Sequence, residues 1–412
     1  MKIKNVERLL LHLPFSPLAE RHMHRASTHG EEVTICRVTL DNGVVGYGET
    51  WDAHVPLDAF VGKNPLEIIH EPSVGMGVQI ALYDAIGRTE GIPAYRLIGA
   101  KVRDWCPISW WAIDMPPEDW VANAKEAVRL GYTSFKLKAR PWRDIVAQVA
   151  AISEAVPPHF KLDVDFNRFL LNAGNALPIL RKVQENPNVA IFESPIPQDD
   201  VEGHRQLRGQ IDRPISLHFG VPPILTVLRE DVCDGFVIGG DTETVMRQGM
   251  LAAEANKPFW LQMVGSGIMT AFTVHLGAVL SHAQWPAITC HDLWMDDLLM
   301  ERLDVQDGYI RVPEGPGLGV EVDEEAIERY QVEPGTPSPK QQYFAQRRVL
   351  RIRWPGDRTW CFTDEGAYQK SFYEGNMPLF EPGVELEVIE DNESEAFERL
   401  YDRVARGEGK GA

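Results

Sequence analysis

The sequence predicts an α/β protein centred on a closed parallel barrel, with an α+β segment before it and a separate appendix after it. Three observations predict this. Eight short β-rich runs alternate with helical stretches between residues 106 and 290, the rhythm of successive strand-helix units that close on themselves. No glycine-rich dinucleotide fingerprint follows any of these runs, which argues against an open, nucleotide-binding sheet. The 412 residues, 44% hydrophobic and 25% charged, are ordinary for a soluble chain and enough for two or three domains with a large core.

The elements follow in order. EEVTICRVTL, the turn DNG and VVGYGETW read as a hairpin, since Asn42-Gly43 can take positive φ. GVQIALYDAIGRTEGIP has apolar residues at helical spacing and stops at Gly91 and Pro93. The candidate barrel strands are CPISWWA, TSFKLKA, FKLDVDF, VAIFES, PISLHF, DGFVIG, PFWLQM and AITC. Between them lie amphipathic stretches such as PPEDWVANAKEAVRLG, with Pro and acids at the start and Gly131 at the end, as helix termini favour. Residues 263–280 contain no Asp, Glu, Lys or Arg, but their glycines, His275 and the soluble pattern on both sides predict a buried helix rather than a membrane span. QVEPGTPSPKQQ reads as a Pro-rich linker and RRVLRIRWPGDRTWCFTDE as a hairpin. Residues 381–400, with eight acidic residues and one Arg, read as a solvated helix or partly disordered tail.

Charge and cysteines narrow the partners. Lys and Arg number 41 against 60 Asp and Glu, a net −19, which repels phosphate backbones and anionic membranes, so neither nucleic acid nor membrane is expected. Five scattered cysteines without a CxxC spacing suggest neither a disulfide framework nor a zinc cluster, and a reducing cytoplasm fits best. The N-terminal run is too short to read as a signal peptide.

Barrels of this kind carry their chemistry at the carboxyl ends of the strands. Those ends hold Lys136 and Lys138, then Asp165 with Asn167, Glu193, His218, Gln262, and His291 with Asp292. Each has an ordinary use: exposed lysines, an Asx turn, a hydrogen-bond acceptor, a core histidine. Their conjunction on successive strands is the informative feature. Two lysines two apart on a strand share a face, roughly 6 to 7 Å apart. At ~6.6 Å and an effective dielectric of about 20 they repel by on the order of 2.5 kcal/mol. One can then act as a base near neutral pH while the other stays cationic and holds an anion. Asp165 and Glu193 offer hard oxygens to a divalent cation.

Taken with ALYDAIGRTEGIPAYRLIGAKVRD, KLK, DVDFN, FESPIPQDD and PEGPGLGVEVDEEAIERY, these features resemble the enolase superfamily, in its mandelate racemase and muconate lactonizing enzyme group, over about residues 1–330. The resemblance implies an α+β cap (1–104) over a modified TIM barrel, (β/α)7β (105–318), and a return segment (319–334) packing on the cap. A C-terminal extension (335–412) lies outside it. It further implies Mg2+ held by Asp165 and Glu193, Lys138 as the base and Lys136 as its carboxylate-side partner. Loop 16–30 resembles the family's specificity loop. Its Arg21, His22, His24 and Arg25, with Asn167 and Gln262, are the candidate contacts to an acidic substrate.

The chain departs from the family in two places. The third metal carboxylate is replaced in PISLHFG by Phe219 with His218 beside it. Imidazole suits Mn2+, Fe2+ or Zn2+ better than Mg2+, so His218 is either a third ligand or an acid. No opposing base stands on the sixth or seventh strand, where DGFVIGG and Gln262 occur, which disfavours a symmetric racemase. The expected activity is abstraction of the proton α to a carboxylate followed by dehydration of a sugar acid, with His218 or Asp292 as the second acid. Epimerisation or cycloisomerisation, and a degenerate member that only binds an acid, are the rivals. A homo-oligomer acting on a small carboxylic acid is expected.

Overall fold

Among the described residues of the computed structural model (1–26, 28–50 and 56–411), hydrogen bonding sorts the strands into four sheets. The first is antiparallel: β1 (Ile3–His12), β2 (Glu32–Leu40) and β3 (Val45–Thr50). Gly43 makes the β2–β3 turn at φ +85°. Trp51, at the end of the expected second strand, and Ser27, in loop 16–30, lie outside the described residues. The helix Met76–Glu90 lies on this sheet. A Cβ on Gly48 would come within 2.0 Å of the Gly77 carbonyl, so glycine is what lets helix and strand approach so closely. Buried Asp84 on that helix accepts hydrogen bonds from the amides of Tyr47 (3.0 Å) and Leu318 (2.9 Å), tying the sheet to chain that follows the barrel.

The chain then enters β4 (Trp105–Pro107) and the parallel strands β5 (Trp110–Ala112), β6 (Ser134–Lys138), β7 (Lys161–Asp165), β8 (Val189–Glu193), β9 (Ile215–His218), β10 (Gly235–Ile238) and β11 (Phe259–Leu261), with β5 to β11 adjacent in chain order. Residues 287–288 close the curl. Ala287 exchanges backbone hydrogen bonds with Pro107 (2.9 Å) and Ser109 (3.0 Å) on one side, and Ile288 with Leu261 (2.8 Å) and Met263 (3.0 Å) on the other. The expected eighth strand is thus present as single bridges rather than a continuous ladder. The expected first strand is divided: β4 pairs instead with β13 (Tyr309–Arg311), itself paired with β12 (Val305–Gln306). Pro107 has no amide proton to carry one ladder through the run. The apolar stretch 263–280 folds as the helix Gly267–Val279, buried through nearly all its length, and no helix among the described residues is long and apolar enough to cross a membrane.

Residues 335–411 contain a fourth sheet, ordered β15 (Arg358–Phe362), β14 (Arg348–Trp354), β16 (Glu385–Glu390), with helices Pro339–Ala345, Glu365–Tyr373 and Glu395–Ala405. The expected hairpin is β14–β15. The acidic stretch 381–400 is in part the expected solvated helix, which starts at Glu395 and buries only Phe397 and Val404, but residues 385–390 correct the expectation by forming strand β16. Its charges face arginines of β14, Glu387 with Arg351 (3.4 Å) and Glu385 with Arg353 (3.2 Å), and opposite charges across a ladder favour pairing. The Pro-rich linker likewise holds a helix, started by a capping box of Ser338 and Gln341.

This module sits against the carboxyl ends of β6 and β7. Tyr368 packs on Trp142 with centroids 4.3 Å apart, Tyr373 stacks on Phe169 at 5.5 Å, and Phe380 meets Phe166 at 5.6 Å. It also grips loop 16–30. The Lys340 amide donates to Glu31 Oε2 (2.8 Å), and its Nζ donates to the carbonyls of Thr28 (2.7 Å) and His29.

Candidate active site

Register does most of the assembly. Lys136 lies opposite Asp163, Lys138 opposite Asp165, and Asp165 opposite Glu193. Residues opposed in a parallel ladder face the same way, so all five side chains point into the barrel. Lys138 Nζ pairs with Asp165 Oδ2, and Lys136 Nζ pairs with Glu193 Oε2 while standing 3.8 Å from Asp165. Lys136 also donates to Gln262 Oε1 (2.7 Å) and lies 5.1 Å over the Trp260 ring. Asn167 donates to Asp165 from its backbone amide (2.8 Å) and side chain (3.2 Å). His218 Nε2 is 3.2 Å from Glu193 Oε1, and the His218 amide donates to Gln198. Several residues just past the strand ends adopt left-handed φ without being glycine: Asn167 (+43°), Ser194 (+43°) and Cys290 (+59°). Such conformations persist where the surroundings enforce them, and they gather at functional sites.

The two lysines differ in access and in charge balance. The Lys136 side chain is fully sealed, whereas that of Lys138 is 12% exposed. Burial lowers the proton affinity of Lys138, Asp165 opposes and Lys136 reinforces the lowering, and the net is an amine below its ordinary value. Burial acts on Lys136 too, but Glu193 and Asp165 outweigh it and raise that amine. Burial works against the charge on Asp165, yet Lys138 and Lys136 hold its carboxyl well below the usual carboxylate range. Asp163 keeps its proton longer, pushed up to about 7 by burial.

The donors suit a divalent cation in part. Asp165 and Glu193 are hard oxygen donors on adjoining strands. Glu193 Oε2 is buried and meets Lys136 without hydrogen-bond alignment, which leaves a lone pair to share. Among the described residues no three His, Cys, Asp or Glu converge as a metal cluster. Two carboxylates completed by substrate and water oxygens is a set that Mg2+ accepts.

The structure brings Lys136, Lys138, Asp165, Asn167, Glu193, His218 and Gln262 together. The other expected residues are engaged elsewhere. Asp292 pairs with Arg302 and accepts from Tyr132. Arg21 and His22 both meet Asp119, His24 meets Glu31 (3.1 Å), and Arg25 is buried against Asp114 (2.9 Å) and Tyr368 (3.3 Å). The polar partners of these four loop residues are therefore structural rather than the lysine cluster. His29, from the same loop, stands closer: its ring meets Trp111 edge-on at 5.1 Å, and Trp111 is opposite Lys136 in the ladder. Burial, Lys138, Lys340 and Lys136 push its imidazole down to about 3, so it is neutral. Sequence reasoning passed over Asp163, Trp111 and Arg140. Simple alternation along KLKAR and along DVD would have flagged Arg140 and Asp163.

A family model described as "Enolase C-terminal domain-like" matches residues 119–326. N-succinyl-L-Arg/Lys racemase of Bacillus cereus is 25% identical over 339 residues, covering 72% of this chain and 90% of that protein. D-xylonate dehydratase of Haloferax volcanii is 29% identical over 360 residues, covering 73% and 86%. Muconate cycloisomerase 1-1 of Acinetobacter lwoffii is 24% identical over 373 residues, covering 80% and 96%. The crystal structure of the Bacillus cereus racemase shares the fold with a TM-score of 0.68 at 23% identity, covering 99% of that chain and 81% of this one.

Proposed function

The chain belongs to the enolase superfamily, in the mandelate racemase and muconate lactonizing enzyme group, and from that membership we propose that it removes the proton α to a substrate carboxylate and dehydrates a sugar acid or related hydroxy acid. The observation that carries this reading is the unequal lysine pair: Lys138 reachable and lowered, Lys136 sealed and raised. Lys138 Nζ takes the α-proton as a free amine. Lys136 remains an ammonium and keeps Lys138 depressed. A divalent cation, when bound by Asp165 and Glu193, supplies charge stabilisation to the substrate carboxylate worth several kcal/mol. His218, with its side chain 43% exposed and oriented by Glu193, passes a proton to the departing β-hydroxyl, which leaves as water. The resulting enol gains a proton at carbon and becomes a 2-keto acid. His218 is preferred to Asp292 as this acid because Asp292 is tied to Arg302 and Tyr132.

Dehydratases, racemases and cycloisomerases all stand among the relatives. Dehydration is favoured because the ends of β10 and β11 offer Gly239 and Gln262 rather than a second base facing Lys138. Incubation of the protein with Mg2+ in D2O and a panel of aldonic and aldaric acids, read by mass spectrometry, tests the assignment. Loss of water from one acid is expected. Deuterium uptake with the carbon skeleton intact would move the chain to the isomerases, and complete inertness across the panel would sink the activity. Lys138→Ala should abolish both exchange and water loss; retained turnover would remove Lys138 from the mechanism.

A further inference from the structure

The alternation that turns Lys136 and Lys138 inward runs on to Arg140, because the ladder continues past the strand: the Ala139 amide donates to the Asp165 carbonyl at 2.9 Å. Arg140 is only 7% exposed. Its NH1 donates to the carbonyl of neighbouring Ala139 (2.9 Å), and its Nε has no partner. The guanidinium lies over the Phe169 ring at 5.1 Å, and Tyr373 of the C-terminal module backs that ring. Among the described residues no carboxylate stands within salt-bridge distance of it, and the acids that feel its charge, Asp114 and Asp165, are already paired with Arg25 and Lys138. The other buried arginines nearby are treated differently, since Arg25 and Arg143 share Asp114 at 2.9 and 3.4 Å. A buried cation normally has a counter-ion. Arg140 also stands close enough to Lys138 and Asp165 to contribute to the lowering of both. This wall of the site therefore holds three cations, Lys136, Lys138 and Arg140, against the carboxylates Asp165 and Glu193, with Asp163 on the same face kept protonated up to about pH 7 by burial.

We propose that Arg140 is a specificity-determining residue that receives a second carboxylate of the substrate, so that the site takes a dicarboxylic hydroxy acid in preference to a monoacid. This rests on the α-proton reading for the first carboxylate. A guanidinium fork resting over an aromatic ring presents N–H donors to a planar carboxylate, and a directly paired counter-ion arrives with the ligand.

Calorimetric titration of the full chain in Mg2+ buffer tests this without turnover. The probes are malonate, succinate and glutarate, each against the monoacid of equal length: propionate, butyrate and valerate. At least one diacid should bind about tenfold or more tightly than its matched monoacid. Arg140→Met, which keeps the packing on Phe169, should erase that advantage by weakening the diacid far more than the monoacid; Arg140→Lys should retain part of it. Absence of a diacid preference in the wild type overturns the proposal, as does a preference that survives Arg140→Met. Should Arg140→Met fail to fold, a diacid preference undiminished in Arg140→Lys overturns it equally. Failure of the α-proton chemistry would instead appear as no exchange in D2O with this binding pattern intact.

Discussion

Lys136 and Lys138 share one face of one strand, yet their surroundings send them in opposite directions. Removing the Lys136 charge relieves repulsion and frees Asp165 and Glu193 to attract Lys138 alone, so the Lys138 amine rises. In Lys136→Met the acidic limb of the kcat/KM profile, which reports the free base, should therefore move to higher pH by about one unit or more. An unmoved limb would mean that the two amines are not coupled. At this scale the sequence carried much of the site. Period-two alternation identifies which lysines are neighbours, and polar residues ending apolar runs identify Asp165 and Glu193. It could not say that Lys136 would be sealed behind Gln262 and Trp260, nor that Arg21, His22, His24 and Arg25 would be drawn to Asp119, Glu31 and Asp114. Those outcomes depend on groups far away in the chain, which local pattern does not contain.

At the scale of elements, Glu49 at the end of β3 reaches across to the helix Gly267–Val279. It accepts from the Ser266 amide (2.8 Å), the Ser266 hydroxyl (2.7 Å) and the Met269 amide (3.2 Å). Burial nevertheless pushes its carboxyl up to about 7 from an ordinary 4.5. The folded state thus keeps a proton that the unfolded chain has lost. The associated stability is fully present below pH 4.5 and is lost as pH rises through 7, an effect on the order of 3 kcal/mol. Glu49→Gln carries no such proton, so its Tm should vary less than that of the wild type between pH 4.5 and 7.5; parallel curves would contradict the assignment. Most barrel strands were legible because a buried parallel strand is a short apolar run between turn residues. The split first strand was not, since Cys106 and Pro107 read as strand without revealing which sheet they join. The strand at 385–390 was missed because a charge run examined alone looks solvated, and its balancing arginines lie some thirty residues earlier.

For the whole molecule, the module 335–412 joins parts that the chain builds far apart. Lys340 bonds the backbone of loop 16–30, Tyr368 meets Arg25 and Trp142, and the Arg143 guanidinium donates to the Leu386 carbonyl at 3.1 Å. Lys340→Ala removes the buried ammonium from the Thr28 and His29 carbonyls. Amide deuterium exchange in residues 16–30 should then quicken by about tenfold or more, with exchange in β6 to β8 unchanged and Lys340→Arg restoring part of the protection. Unaltered exchange in the loop would show that the module does not hold it. The bond from Lys340 to a loop more than three hundred residues earlier also sets a schedule on the ribosome. Loop 16–30 leaves the ribosome more than three hundred residues ahead of the hand that fastens it. A nascent chain can therefore close its barrel first, but the wall bearing His29 takes its final place only once Lys340 has emerged.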